Sequence, residues 1–201
     1  VTLVVVTKTH PPERIQEAVD AGARSLGENR IQEAQDKVGD VSGAVEWHLV
    51  GHLQRNKVKA ALEIFDVIQS VDSLRLAEEI GKRALQMQKT VRVLAQVSTS
   101  GADSQFGLAP EATPDFIGQL SEIDGIAVEG LMTIGEFLPD PEDVRPCFVR
   151  LRKLRDRIAQ QNISGVSLDH LSMGMTGDFE VAIEEGATIV RVGTAVFGRR
   201  Q

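Results

Sequence analysis

The chain has 201 residues, 42% hydrophobic and 25% charged, with a formal net charge of -7. This is the composition of one globular unit, and the acidic balance argues against general binding to nucleic acid or to an anionic membrane. One cysteine, Cys147, excludes an internal disulfide framework and a cysteine metal cluster and fits a reducing, cytoplasmic setting.

No apolar run approaches the roughly 20 residues of a membrane-spanning helix, and no signal peptide is visible. Taken in chain order, short apolar runs alternate with amphipathic stretches. A strand over 2–7 leads to Pro11 and Pro12, which open a helix that Gly22 stops. A short strand over 25–27 precedes a helix over 29–37, and a strand over 46–50 precedes a helix over 53–62. The strand over 65–70 is followed by a helix to about residue 88, with Asp72 or Ser73 at its cap and Glu78 and Lys82 paired at i,i+4. Strands over 91–98 and 126–132 flank a helix over 110–123; a long helix over 142–160, a strand over 167–171, a helix over 179–185 and a strand over 188–192 complete the series.

Eight strands alternating with helices imply a parallel sheet with right-handed crossovers. In about 200 residues, eight such units predict an α/β fold of a single closed (β/α)8 TIM-type barrel over 1–201. The rival is a doubly wound open sheet, weakened because no Gly-x-Gly-x-x-Gly follows the first strand. The chain enters a strand directly from Val1, so an N-terminal segment is expected to be missing from it.

Barrel chemistry sits at the C-terminal ends of the strands. The first strand delivers Lys8 there, and a lysine amine condenses with aldehydes. The loops after strands seven and eight, Leu171-Ser172-Met173-Gly174-Met175 and Arg191-Val192-Gly193-Thr194-Ala195, supply hydroxyls and glycines where barrels often hold a phosphate. A phosphorylated aldehyde fits both ends: pyridoxal 5'-phosphate (PLP), or a phosphosugar in an aldolase-type barrel, and spacing alone does not separate them. Arg55, Lys57 and Lys59 read either as an anion-steering patch or as a solvated helix face, and Trp47 reads as core. Met132, Met173 and Met175 read as ring-lining or gap-filling.

Val5-Val6-Thr7-Lys8, Gly27-Glu28-Asn29, the run from Trp47 to Lys57, Phe106-Gly107-Leu108, Gly130-Leu131-Met132-Thr133-Ile134 and the two phosphate-type loops resemble the pyridoxal-phosphate homeostasis protein family, whose barrel is similar to the N-terminal part of alanine racemase. The resemblance implies that Lys8 carries PLP as a reversible Schiff base. It implies that Ser172, Gly193 and Thr194 hold the phosphate, that Arg191 faces the pyridine nitrogen, and that Asn29 lies near the ring; Met132 is taken with them as a cofactor-binding candidate. Many members carry a lysine where Gln105 stands, so no role is built on a cation there.

An arginine offers only donors, so the ring nitrogen facing it stays unprotonated and becomes a weaker electron sink. Racemisation also needs an acid/base on each face; the chain has no tyrosine, and His48 or His52 are the substitutes on offer. The expectation is therefore a cytoplasmic, monomeric PLP-binding protein of intracellular PLP homeostasis, without robust catalytic activity, that hands the cofactor to PLP-dependent apoenzymes. The alternatives are a PLP-dependent amino-acid racemase of low activity and a phosphosugar enzyme with Lys8 as its Schiff base.

Overall fold

The computed structural model describes residues 1–100 and 106–198. Gln105 lies outside these. Eight strands, β1 Thr2–Val6, β2 Ser25–Glu28, β3 Glu46–Leu49, β4 Val67–Val71, β5 Val91–Gln96, β6 Ile126–Met132, β7 Val166–Ser172 and β8 Ile189–Val192, close into one barrel in sequence order. Every neighbouring pair is parallel, including β1 with β8. The helices are α1 Pro12–Asp20, α2 Ile31–Gln35, α3 Val58–Leu62, α4 Leu74–Gln86, α5 Thr113–Leu120, α6 Pro141–Ala159, α7 Phe179–Glu184 and α8 Thr194–Phe197.

Strand alternation sorts the side chains into two cores. Val5 packs outward in the large cluster between barrel and helices, where α6 presents Val144, Phe148, Leu151, Leu154 and Ile158 at helical spacing. Val4, Leu94, Met132 and Ile189, from β1, β5, β6 and β8, form a separate small plug inside the barrel. Trp47 and Cys147 are buried core residues, and Arg55 and Lys59 are exposed.

Local chemistry shortens several expected helices. The stretch over 29–37 is helical only at α2 and then turns through a 3-10 segment, Val38–Asp40; the stretch over 53–62 begins as the 3-10 segment Arg55–Lys57 before α3. Ser73 stands at the N-cap of α4 in extended backbone, but its hydroxyl makes no capping bond. Asp140 does cap α6, accepting the Glu142 N–H at 2.9 Å with Pro141 in the first helical position. The short α8 follows Gly193 directly, where the sequence reading has no helix.

The N-terminal mouth of the barrel is closed by ion pairs. Arg92 on β5 reaches Glu46 on β3 and also Glu129 on β6, the latter at 2.7 Å. The His48 hydrogen bond, assisted by Arg92, outweighs burial and lowers the Glu46 carboxyl from 4.5 to about 2. A depressed folded-state pKa contributes stability above the unfolded value, and that contribution disappears as pH falls through the folded value. Denaturant unfolding is therefore expected to show stability declining between pH 4.5 and about 2, with a flatter profile in Glu46→Gln; identical profiles would refute this ion-pair account.

A second expectation concerns Gly130, whose added Cβ would lie 2.0 Å from the His170 carbonyl oxygen across the β6–β7 pair. Gly130→Ala must push the strands apart, and a loss of about 1–3 kcal/mol in urea unfolding is expected.

Candidate functional site

At the C-terminal mouth, a cavity of about 540 Å³ opens between the ends of β1, β2 and β8 and the loops after β6 and β7. Its lining includes Lys8, His10, Asn29, Met175, Thr176, Gly177, Arg191, Gly193 and Thr194, with Val6, Val50, Ile134 and Phe137 as apolar walls. Among the described residues, the ionic side chains on this wall are the cations Lys8 and Arg191, and none of the lining residues is acidic. Its size suits a cofactor-sized ligand, and its charge suits an anionic one.

The end of β1 is held from behind. Thr7 N–H donates to the Gly27 carbonyl at 2.9 Å, and the Thr7 hydroxyl donates to Glu28 Oε1 at 2.6 Å. Lys37 Nζ donates to the Thr7 carbonyl at 3.0 Å, to Glu28 Oε1 at 2.9 Å and to Glu33 Oε1 at 2.8 Å. Glu33 in turn accepts the Thr9 N–H, and Thr9 sits at φ 68, a left-handed conformation uncommon for a β-branched residue. The peptides on both sides of Lys8 are thus tied to one Glu28–Lys37–Glu33 cluster. Burial pushes the Glu28 carboxyl up against the opposing pull of Thr7 and Lys37. At Glu33 burial also pushes up, but the bonds from Lys37 and Thr9 outweigh it and leave the carboxyl below its ordinary value.

Arg191 forms the floor. It is 5% exposed, and its guanidinium donates to Ser172 Oγ at 2.6 Å and to the Thr133 carbonyl at 2.7 Å. Burial lowers its pKa to about 10, with Asp178 pulling the other way, so it remains a cation at neutral pH. Gly193 lets β8 pass close to β1: an added Cβ would stand 3.1 Å from the Val6 carbonyl oxygen. Thr194 is exposed at the first position of α8, where the early amides of a helix lack intrahelical partners. The loop carrying Thr176 and Gly177 faces it, with the Thr176 hydroxyl 3.4 Å from the Ala195 amide.

Lys8, Asn29, Arg191, Gly193 and Thr194 are brought together as the sequence reading expects. Ser172 and Met132 are not on the wall. The Ser172 hydroxyl is fully buried beneath it, accepting from Arg191 and donating to Gln69 Oε1 at 2.6 Å. Met132 is fully buried in the plug inside the barrel, one residue before the Thr133 carbonyl that Arg191 uses. Met175 lines the wall and Met173 is core.

Neither histidine considered as an acid/base reaches the cavity wall. His48 is inside the barrel, 1% exposed, and His52 stacks on Phe106 at 3.9 Å and lies 3.6 Å from Asp72. His10, which does line the cavity and stacks on Phe197 at 4.2 Å, is given no role by the sequence reading; nor are Thr133 and Thr176, which stand at strand ends, or Gly177 and Lys37. The polar pair Gln69-Ser70 ending an apolar strand is a legible signal for a polar barrel interior.

These features, a parallel barrel with a lysine just beyond its first strand and an arginine on its eighth under a phosphate-type loop, define the alanine-racemase class of barrels. Residues 1–201 match the family model described as alanine racemase, N-terminal domain. The chain belongs to the pyridoxal phosphate homeostasis protein family. The protein of that name from Aquifex aeolicus is 45% identical over 200 residues, covering 99% of this chain and 87% of its own length. That from Escherichia coli is 36% identical over 205 residues, covering 100% and 86%. PipY of Synechococcus elongatus, in a structure with PLP bound, superposes with a TM-score of 0.91 at 37% identity over 98% of this chain and 92% of its own. An alanine racemase from Clostridium difficile shares the fold at 14% identity and a TM-score of 0.80, over 53% of its length.

Lys37→Met would strand Glu28 as a buried carboxylate, and a loss of about 3–5 kcal/mol is expected. Adding Glu28→Gln should recover much of it in the same urea titration; full additivity of the two losses would show that the pair is not coupled.

Proposed function

We propose that this protein binds PLP at the C-terminal mouth of the barrel, tethered to Lys8 by a reversible Schiff base, and that it buffers the cofactor and passes it to PLP-dependent apoenzymes. The observation that carries the reading is the cavity wall itself, with an amine at one end, a buried guanidinium beneath and no carboxylate among its described lining residues. Similarity to PipY, seen with PLP, supports the choice of ligand. When bound, the cofactor supplies an aldehyde that condenses with an amine and a phosphate that needs donors.

The chain's own residues supply the rest. Lys8 presents its amine from a strand end whose peptides are fixed by Lys37 and Glu33. Gly193, Thr194, Thr176 and Gly177 offer backbone and hydroxyl donors to the phosphate. Arg191 donates toward the ring nitrogen, and Asn29 flanks the ring. Ser172 serves this site through Arg191, and Met132 serves it by filling the barrel below.

The setting is cytoplasmic, in keeping with the single buried cysteine, and the working unit a monomer; among the described residues no helix is long and apolar enough to cross a membrane. A carrier suits this wall better than a racemase. His48 and His52, the acid/base substitutes that racemisation would need on the second face of the ring, do not line it.

Purified protein loaded with PLP is expected to show an imine absorbance band that Lys8→Ala abolishes, with borohydride reduction fixing the adduct on the Lys8 peptide. An adduct on another lysine would overturn the tether. Thr194→Val is expected to lower PLP affinity about fivefold, one hydrogen bond's worth; sustained turnover of alanine or serine enantiomers would favour the racemase instead.

A further inference from the structure

Between the two mouths of the barrel runs a continuous line of hydrogen bonds. Glu46 Oε2 lies 2.7 Å from His48 Nε2; His48 Nδ1 lies 2.9 Å from Gln69 Nε2. Ser172 Oγ donates to Gln69 Oε1 at 2.6 Å and accepts from Arg191 at 2.6 Å. Gln69 on β4 and Ser172 on β7 are on non-adjacent strands, so their bond crosses the barrel interior. His48, Gln69 and Ser172 are each no more than 1% exposed.

The polarity of every link follows from one end. A guanidinium has five donors and no acceptor, so Ser172 Oγ must accept from Arg191. The Ser172 proton therefore goes to Gln69, which must present its oxygen to the serine and its NH2 to the histidine. His48 Nδ1 must then accept, which places the single ring proton on Nε2. There it meets the Glu46 carboxylate, which only accepts. Donors and acceptors alternate without conflict along the whole line, and only one histidine tautomer and one amide orientation allow it.

Resting on the PLP reading above, we propose that His48 and Gln69 are positioning residues for Arg191. Among the described residues they are linked to the cavity through Ser172, and they hold the Ser172 hydroxyl in the orientation that seats the guanidinium beneath the cofactor ring. The geometry gives this line a job that core filling does not require. The neighbouring interior plug of Val4, Leu94, Met132 and Ile189 is apolar, and volume there is filled without a directed chain. Arg191 has two of its donors taken by Ser172 and the Thr133 carbonyl, which leaves its remaining N–H groups for the cavity that it lines. If Gln69 turned over, it would offer Ser172 a donor in place of an acceptor. The serine would lose the partner for its proton, and its oxygen would be shared between the Gln69 amide and Arg191 in place of Arg191 alone.

The test has two arms. In the first, ligand-free protein labelled with 15N-histidine is studied by NMR near neutral pH, with the His48 signals assigned by their absence in His48→Leu or, if that variant does not fold, in His48→Asn. The neutral Nε2–H tautomer is expected, and an Nδ1–H tautomer or an imidazolium overturns the proposal. Gln69→Glu extends this arm: its carboxylate still accepts from Ser172 but has no N–H for Nδ1, so His48 is expected to become doubly protonated. A His48 that stays neutral there also overturns the proposal.

In the second arm, PLP is titrated into wild type, His48→Leu and His48→Asn, reading dissociation constant, visible band position and the 15N shift of ring-labelled PLP. His48→Leu is expected to weaken binding about tenfold and to move both spectral signatures. His48→Asn, whose Oδ1 stands in for Nδ1 as an acceptor, should restore most of the change. Leucine and asparagine variants that behave alike, or a leucine variant indistinguishable from wild type, overturn the proposal. A wild type that takes up no PLP overturns the function reading instead, and the histidine spectrum still decides the chain.

Discussion

A cation buried in a barrel sets the terms for much of this molecule. Arg191 is almost wholly enclosed, yet its hydrogen-bond partners are neutral, the Ser172 hydroxyl and the Thr133 carbonyl. Desolvation lowers its pKa to about 10, and Asp178 opposes that only through space. A buried charge is expensive unless it is well solvated by dipoles or answered by a counter-ion. Here the dipoles hold the group in place and the charge remains to act on the cavity above it. The protein keeps a positive floor under an open mouth because no carboxylate is hydrogen-bonded to that floor.

Lys37 solves the same problem in the opposite way. It lies outside the barrel wall and is answered by Glu28 and Glu33 together, so its charge is used up locally. What remains is geometry: it holds the Thr7 carbonyl, while Glu33 holds the Thr9 amide. The two buried cations therefore divide the work, one fixing the backbone that presents Lys8 and the other projecting charge at the far side of the cavity. The strand ends at this mouth approach closely at two glycines, Gly193 beside Val6 and Gly51, whose added Cβ would lie 2.2 Å from the Asn29 carbonyl oxygen.

Much of the site is legible in the sequence. Lys8 ends a β-branched run, and a lysine so placed points out of a barrel mouth. The loops around Gly174 and Gly193 follow the strands where barrels hold anions. The misplacements are of one kind. Ser172 and Met132 are inward-facing residues at strand ends, where alternation gives the face but not the depth; both lie a layer below the wall that Arg191 forms. His48 and His52 sit four residues apart around the end of β3 and look equivalent as a pair, but one points inside the barrel and the other stacks on Phe106 outside the cavity wall. His10 and Lys37 carry no motif that singles them out.

The sequence by itself determined the order of elements, the closed parallel barrel, the strand-end lysine and the two loops that answer it, because each depends on local periodicity, turn residues and the fixed handedness of crossovers. Only the tertiary structure decided which polar side chains meet. Gln69 and Ser172 are 103 positions apart and touch because closing the barrel sets β4 opposite β7. Lys37 finds Thr7 across 30 positions because α2 is short enough for the chain to turn back over β1. Pairings of this kind are set by shear, strand register and loop length acting together, and no single stretch of chain contains them.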